Sequence, residues 1–336
     1  MPRFSRRNVL SGLFIVALGV PVFSNAYQLF VANLVLIYVL LAIGLNILVG
    51  YAGQLAFANA AMFGIGAYST ALLQVHLSWP FYFAFPAGAL IAMAVGLLIS
   101  LPALRLSGLY LALSTLAFAQ FAQWVFLHWD NLTFGAGGFK SPPISFAPLP
   151  VGKPVGLYYL SLIIATCVTL FAQNVVASRI GRAFVSIRDG DIAAQSLGID
   201  LLGYKALAFG ISGFTAGLAG GLYSQLLNFV SPEGFDLFQM VIQKAAIVVG
   251  GLGSTSGSVL GAGAIIIIME LLREVKGAQE VVFGGVLIFF VTFFRRGIVG
   301  SLQHYFRGWE EPLHSALPLG PSSPPHIRLD EKESVS

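Results

Sequence analysis

The segment YQLFVANLVLIYVLLAIGLNILV, residues 27–49, decides the fold class of this chain. It contains no charged residue and exceeds the roughly 20 apolar residues that a helix needs to cross a bilayer. Its apolar residues run on without the alternation of polar and apolar positions that a membrane β-strand shows. Because lipid leaves every backbone polar group to be satisfied within the protein, we predict a transmembrane helix here.

The same apolar character extends over most of the chain. Of 336 residues, 57% are hydrophobic and only 10% are charged, against about 25% charged residues in ordinary soluble domains. We therefore predict an all-α integral membrane protein, a polytopic bundle of about ten transmembrane helices, some of them short or broken. Segment 239–252 is short for a span, and segment 53–76 is rich in small residues. The predicted spans are 8–24, 27–49, 53–76, 81–103, 107–128, 156–176, 204–228, 239–252, 257–272 and 280–295.

Basic residues set the predicted orientation, because Lys and Arg concentrate in the cytoplasmic loops of membrane proteins. With the basic N terminus inside, Arg105, the arginines of segment 179–188 and the Arg295–Arg296 pair all fall on the cytoplasmic side. We predict a multi-pass protein of the bacterial inner membrane with both termini in the cytoplasm. The N-terminal segment 1–26 also has features of a twin-arginine signal peptide, which is the alternative to a first membrane helix.

The span pattern divides the chain into two regions. Residues 1–307 form the predicted transmembrane domain, which includes a cytoplasmic loop at 177–203. Residues 308–336 are polar and Pro-rich and are predicted to be a disordered cytoplasmic tail. Inside the transmembrane domain, glycines recur at four-residue spacing at Gly213, Gly217 and Gly221. Such rows of small residues predict close approach of helix backbones.

Residue types that carry enzymatic chemistry do not form a recognisable pattern. The five histidines are scattered, without the HExxH spacing of a zinc site. The single cysteine, Cys167, excludes an intrachain disulfide. The glycine-rich stretch 250–257 lacks the GK[ST] ending of a phosphate loop, so any active transport must be energised by another chain or by an ion gradient. We predict neither an enzyme nor a metal site, and the basic residues between spans are topology signals rather than a nucleic-acid surface.

Uncharged polar residues recur inside the predicted spans, whereas charged residues are rare there. Lys244 is the main exception: either its long stem carries the ammonium to the membrane surface, or the ammonium meets the carboxylate of a passing substrate. The amides either join helices by hydrogen bonds or line a wet path for a small polar solute. The predicted path residues are Asn46, Gln54, Asn59, Gln225, Asn228, Gln243 and Lys244.

The stretch RDGDIAAQSLG, residues 188–198, interrupts the apolar sequence with a short helix pattern. Asp189 or Asp191 is a suitable N-cap, and Gly198 is a natural C-terminal stop. The alanines and aliphatic residues between them give this helix a small, partly apolar surface. On the cytoplasmic side, such an element is either a docking site for a partner protein or an ordinary solvated loop helix.

This loop resembles the EAA loop by which permeases of ABC importers engage their ATPase subunits, in the form found in LivM-type permeases of branched-chain amino-acid importers. Further stretches match that family in the same order: GLNILVGYAGQLAFANAAMFGIGAYSTALL from Gly44, LRLSGLYLALSTLAFAQ from Leu104, LTFGAGGF from Leu132, FVSPEGF from Phe229, VVGGLGSTSGSVLGA from Val248 and FFRRGIVG from Phe293. The resemblance covers most of the chain, about residues 44–300. It assigns ATPase coupling to Arg188, Asp189, Asp191, Ile192, Ala193, Ala194 and Gly198.

The resemblance implies a permease subunit of an ATP-driven importer, embedded in membrane lipid. Such a subunit would pair with a second, related permease and with two cytoplasmic ATPase subunits. A periplasmic solute-binding protein would dock on outside loops such as 131–139 and 230–236. The chain itself would bind no cofactor, since ATP belongs to the partner subunits.

The sequence departs from the family pattern at two places. Ile192 stands where the general loop pattern has a glutamate, and the acidic residue is shifted to Asp191. Gln243 and Lys244 stand where apolar or acidic residues are expected, which leaves the solute open among branched-chain amino acids, urea, amides and aromatic acids. A passive channel or an ion-coupled carrier is the alternative class of function.

Overall fold

The computed structural model describes residues 17–21, 24–103, 105–106, 108–146, 152–273, 279–293 and 297–302. Within these ranges the chain is a helical bundle with one antiparallel pair of two-residue strands, β1 (Phe139–Lys140) and β2 (Phe229–Val230). The helices are α1 (Ala26–Asn46), α2 (Asn59–His76), α3 (Phe81–Ala103), α4 (Gly108–His128), α5 (Asp130–Thr133), α6 (Lys153–Ala177), α7 (Arg179–Asp189), α8 (Asp191–Ser196), α9 (Leu201–Leu227), α10 (Leu237–Gly250), α11 (Thr255–Leu272), α12 (Gln279–Phe293) and α13 (Gly297–Leu302).

The described residues include six helices that are long and apolar enough to cross a membrane, fewer than the predicted ten. Three further predicted spans, 53–76, 239–252 and 280–295, correspond to helices outside these six. They are the 18-residue α2, which begins only at Asn59, the 14-residue α10 and the 15-residue α12. The predicted span 8–24 and the predicted tail 308–336 lie wholly or mostly outside the described residues. The six candidate spans are Ala26–Tyr51, Phe81–Ala103, Gly108–His128, Lys153–Ala177, Leu201–Leu227 and Thr255–Leu272.

The chain unwinds between α1 and α2. A π-helical turn, Ile47–Tyr51, extends α1, and residues 52–58 then run without regular helix until Asn59. Gly53 has a φ of +68° there, a left-handed conformation that glycine adopts at little cost. In a membrane, such irregular backbone is tolerated only where it is buried in protein or lines a cavity. We call residues 52–58 the break segment.

Glycines determine how closely the central helices pack. A Cβ atom on Gly217 would lie 2.7 Å from the Cα of Ala89, and one on Gly213 would lie 2.7 Å from the carbonyl oxygen of Ala92. Backbones of α9 and α3 therefore touch directly, as the glycine spacing predicted. The outer surfaces of α3, α4 and α6 instead carry exposed large apolar side chains, such as Leu98, Tyr110 and Ile163, as lipid-facing helices do.

One end of the bundle is closed by the strand pair. Phe139 pairs with Val230 and Lys140 pairs with Phe229, so the two predicted docking loops, 131–139 and 230–236, lie side by side. We call this the strand end. The opposite end, which carries α7 and α8, is called the coupling end.

Candidate functional site

The coupling end begins with α7, an amphipathic helix. Its N-cap is Ser178, whose Oγ accepts a hydrogen bond from the N–H of Ile180 at 3.1 Å. One face of α7 is buried, with Phe184 and Ile187 packed into the bundle, while Arg182 on the other face is exposed. The helix ends at Asp189, and Gly190 breaks it.

Helix α8 carries the rest of the coupling motif and corrects the predicted N-cap. The N-cap is Gly190, with no side-chain cap. Asp189 belongs to the preceding helix, and the carboxylate of Asp191 accepts instead from the Nζ of Lys205 at 2.6 Å. A buried ammonium is a stronger partner for a carboxylate than a backbone N–H, so the ion pair takes precedence over the cap.

Gly198 ends this short helix, as the sequence predicted. Its φ is +78°, and the N–H of Ile199 donates to the carbonyl of Ala194 at 3.1 Å. This six-to-one hydrogen bond with glycine in the left-handed region has the character of a Schellman stop. Ala194 is buried beneath the loop, whereas Ala193 points outward.

The coupling end exposes aliphatic side chains. Ile192 is 86% exposed and Leu197 is 78% exposed, and Leu202 at the start of α9 is also exposed. Exposed apolar patches rimmed by polar residues mark interaction sites. The position where the family pattern has a glutamate is therefore an exposed apolar side chain in this chain.

Arg188 connects the coupling end to the interior of the bundle. Its Nη1 donates to the carbonyl oxygen of Gly50 in the π-helical turn at 3.1 Å, and a Cβ on Gly53 would lie 2.5 Å from the Cγ of Arg188. The Arg188 side chain is only 10% exposed, and its Nη2 lies 3.3 Å from the Oδ1 of Asp189. Arg188 therefore joins α7 to the π-helical turn and to Gly53 of the break segment.

A cavity of about 630 Å³ lies beside this contact. It separates the break segment from the start of α4 and from α8. Gln54 is on its wall, and the Nε2 of Gln54 donates to the carbonyl of Ala52 at 3.0 Å. The lining residues are Gly53, Gln54, Gly108, Leu111, Ile187, Arg188, Gly190, Asp191, Ile192, Ala193 and Lys205.

Asn46 joins α1 to the tight turn between α10 and α11. Its Nδ2 donates to the carbonyl of Ser254 and to the Oγ of Ser258, both at 2.8 Å, and its Oδ1 accepts from the N–H of Gly253 at 2.9 Å. The amide is buried, and both of its polar atoms are hydrogen-bonded. In this arrangement Asn46 fixes the glycine-rich turn.

Asn59, Gln243 and Lys244 converge on the end of the break segment. The Nδ2 of Asn59 donates to the Oε1 of Gln243 at 2.9 Å, and the Oδ1 of Asn59 accepts from the Oγ of Ser212 at 3.0 Å. The Nζ of Lys244 donates to the carbonyl of Ala56 at 2.6 Å and lies 4.0 Å from the centre of the Phe57 ring. The partly buried ammonium therefore contacts the break segment at two adjacent residues.

Gln225 and Asn228 lie far from this group, at the strand end. The Nε2 of Gln225 donates to the Oε1 of Gln74 at 2.9 Å, and its Oε1 accepts from the N–H of Ile144 at 2.9 Å. Asn228 is exposed, accepts a hydrogen bond from Lys153 through its side chain, and accepts one from the N–H of Ser141 through its carbonyl at 3.1 Å. The structure therefore divides the seven predicted path residues among four places and brings only Asn59, Gln243 and Lys244 into one cluster.

A comparison with known proteins bears on this architecture. The family model described as "Branched-chain amino acid transport system / permease component" matches residues 27–291. This chain belongs to that family. The match begins with α1 and ends within α12, so it contains the break segment, the coupling end and both strands.

Individual members of this permease family are similar to the chain over most of their own length. The high-affinity branched-chain amino acid transport system permease protein LivM of Salmonella typhimurium is 28% identical over 314 residues, which cover 86% of this chain and 74% of the relative. LivM of Escherichia coli K12 is 29% identical over 328 residues, covering 89% and 77%. The permease protein BraD of Pseudomonas aeruginosa is 28% identical over 293 residues, covering 78% and 91%. No solved structure gives a significant match.

Several residues that take part in these contacts were absent from the sequence prediction. Lys205 is buried at the start of α9 and pairs with Asp191, Ser212 completes the Asn59 cluster, and the Oγ1 of Thr115 accepts from the N–H of Phe57 at 2.9 Å. A lysine at the second position of the predicted span 204–228 was a usable signal for Lys205, since a buried charge requires a partner. Ser212 and Thr115 had no such signal, because hydroxyl residues are common in membrane helices.

Among the described residues, no group of three or more His, Cys, Asp or Glu side chains comes together as a metal site. The arrangement offers hydrogen-bonding amides, the ammonium groups of Lys205 and Lys244, and an irregular backbone segment.

Proposed function

We propose that this chain is a permease subunit of an ATP-driven ABC importer and forms part of the translocation path for branched-chain or related amino acids. The single observation that carries the proposal is the coupling end, where exposed aliphatic side chains face outward while Arg188 binds the π-helical turn behind them. Family membership supports the solute class, because the relatives LivM and BraD are named as branched-chain amino-acid permeases.

The proposed assembly contains a second, related permease and two cytoplasmic ATPase subunits, which hydrolyse ATP. A periplasmic binding protein delivers the solute to the strand end, a role supported by the pairing of Phe139 with Val230, which joins the two docking loops. The chain lies in the bacterial inner membrane with about ten spans and both termini in the cytoplasm. Residues 177–203 form the coupling loop of a transmembrane domain at 1–307, and the tail at 308–336 is cytoplasmic and disordered.

The proposed mechanism follows from the Arg188 contact. Closure of the ATPases on ATP displaces α7 and α8, and Arg188 transmits this displacement to the carbonyl of Gly50. The break segment then shifts between two arrangements, which open the path to opposite sides of the membrane. A binding event shifts such a two-state equilibrium only through a difference in affinity for the two states.

The function is tested by ATP-dependent uptake of L-leucine into liposomes that contain this chain with a related permease, ATPase subunits and a binding protein. Ile192→Asp is expected to lower uptake about tenfold or more, because hot-spot contacts at interfaces dominate affinity and Ile192 makes no buried contact in the isolated chain. Gln195→Asp is the matched control, since it adds the same charge to α8 without removing apolar surface, and it is expected to retain most of the uptake.

Other outcomes would identify other functions. Uptake that persists without the ATPase subunits would show a passive channel or an ion-coupled carrier. ATP-dependent uptake of urea, amides or aromatic acids in place of leucine would assign a different solute to the same machinery. Normal uptake by the Ile192→Asp variant would show that α8 is not part of the docking surface.

A further inference from the structure

Two lysines of the described chain, the buried Lys205 and the partly buried Lys244, differ in their partners. Lys205 is paired with a carboxylate, since its Nζ lies 2.6 Å from the Oδ2 of Asp191. Lys244, inside the bundle, has only the carbonyl of Ala56 and the ring of Phe57, and no carboxylate of the described residues lies within ion-pair distance of it. A charged group inside a membrane protein is costly and is generally paired or functional.

A second observation points to the same place. The Nε2 of Gln243 is buried without a hydrogen-bond partner, and Gln243 is only 1% exposed. The other atom of this amide, Oε1, accepts from Asn59, the first residue of α2, so the unpartnered N–H group lies at the start of that helix. Buried donors without a partner are rare in native proteins because each one costs free energy.

The start of α2 is itself suited to an anion. The helix has 18 residues and begins at Asn59 after an N-cap, Ala58, that provides no side-chain cap. The first N–H groups of an α-helix have no partner within the helix, and the helix dipole favours negative charge there. An ammonium, a free amide N–H and a helix N-terminus thus converge beside the break segment.

We propose that Lys244, Gln243 and the first N–H groups of α2 form a subsite that receives the carboxylate of the transported amino acid. This inference rests on the proposed function and deepens it by naming the solute group that is recognised. A carboxylate forms stronger, charge-assisted hydrogen bonds than a carbonyl does, so it replaces Ala56 as the partner of Lys244. Binding of the solute therefore removes one contact that holds the break segment, the hydrogen bond from Lys244 to the carbonyl of Ala56.

A second buried glutamine lies on the same face of α10 as Gln243. Gln239 lies four residues before Gln243, and residues at that spacing share a helix face. The Nε2 of Gln239 is also buried without a partner, while its Oε1 accepts from the hydroxyl of Tyr38 at 2.8 Å. The polar row runs from the strand end towards Lys244.

The proposed subsite predicts which solutes bind. Amino acids and organic acids carry the carboxylate that the subsite recognises, whereas urea and neutral amides do not. The assembled permease–ATPase complex in nanodiscs, without the binding protein, is the proper sample, because the binding protein has a selectivity of its own. The measured quantity is binding of tritiated L-leucine, with competition by 4-methylpentanoate, which keeps the carboxylate, and by L-leucinamide, which lacks it.

We expect 4-methylpentanoate to compete and L-leucinamide to compete roughly tenfold or more weakly, the factor that loss of a charge-assisted hydrogen bond produces. Lys244→Met is expected to weaken leucine binding by a similar factor, and Lys244→Arg to retain most of it. Gln243→Glu keeps the acceptor for Asn59 and adds a carboxylate beside Lys244. It is therefore expected to abolish leucine binding without lowering the midpoint of thermal unfolding.

The outcomes separate this inference from the proposed function. Equal competition by the two analogues, unchanged binding by Gln243→Glu, or no binding by the wild-type complex at millimolar leucine would overturn the subsite, even where ATP-dependent uptake is intact. If uptake did not depend on ATP but binding still selected for the carboxylate, the proposal of an ATP-driven importer would be overturned. The proposed subsite would then remain supported. Should Lys244→Met fail to fold, Lys244→Arg and Gln243→Glu still decide the question.

Discussion

At the scale of single residues, the pairing of Asp191 with Lys205 determines how the coupling loop is held. The Lys205 side chain is 4% exposed and that of Asp191 is 36% exposed, with 2.6 Å between Nζ and Oδ2. Asp191→Asn leaves a buried ammonium with a weaker partner. We expect it to lower the free energy of unfolding by about 1–3 kcal/mol, the usual cost of an unsatisfied buried polar group, measured as a lower midpoint of thermal unfolding in detergent.

A double variant provides the control for that prediction. Lys205→Met removes the buried charge, so Asp191→Asn together with Lys205→Met is expected to be more stable than Asp191→Asn alone. If the single and double variants unfolded at the same temperature, the contact between Asp191 and Lys205 would not contribute to the stability of the loop.

At the scale of elements, the contact between α9 and α3 depends on glycine. Gly217→Ala places a Cβ 2.7 Å from the Cα of Ala89, which is backbone and cannot turn aside. We expect a loss of about 1–3 kcal/mol of stability from overpacking, measured as a lower thermal midpoint.

The control for this prediction is Gly263→Ala in α11. A Cβ at that position meets its nearest neighbour, the Cγ1 of Val35, at 3.9 Å, which is ordinary van der Waals contact. Since alanine also favours a helix over glycine by about 0.5–1 kcal/mol, Gly263→Ala should be neutral or stabilising. A Gly217→Ala protein as stable as Gly263→Ala would show that α9 and α3 are free to separate.

At the scale of the whole molecule, Arg188 links α7 at the coupling end to the π-helical turn inside the bundle. Arg188→Met removes the donor to the Gly50 carbonyl and is expected to leave subunit assembly and basal ATP hydrolysis intact. It should lower the stimulation of ATP hydrolysis by solute-loaded binding protein about tenfold, consistent with loss of a charge-assisted hydrogen bond. The measurement is ATPase activity in nanodiscs with and without loaded binding protein.

Two variants test whether that effect belongs to the contact. Arg182→Met lies on the exposed face of the same helix and should retain full stimulation. Gly53→Ala changes no charge but places a Cβ 2.5 Å from the Cγ of Arg188 at a φ of +68°, and it should reproduce the Arg188→Met effect. Stimulation that survives in both Arg188→Met and Gly53→Ala would place the link elsewhere.

The sequence by itself determined the membrane class, the family and the position of the short helix that stops at Gly198. Runs such as 27–49 and the stop at Gly198 depend on composition and local backbone preference, which are encoded within a few residues of one another. The N-cap prediction for Asp189 or Asp191 was wrong because Asp191 found a partner fourteen positions away, Lys205.

Only the tertiary structure decided which polar residues meet. Arg188 reaches Gly50 across 138 positions, and Asn59 reaches Gln243 across 184. Partners at such separations are set by which helices pack together, and close approach at glycines such as Gly217 sets that packing. Hydropathy places Asn46 and Gln243 alike within predicted spans. The packed fold fully satisfies Asn46 and leaves the Nε2 of Gln243 without a partner.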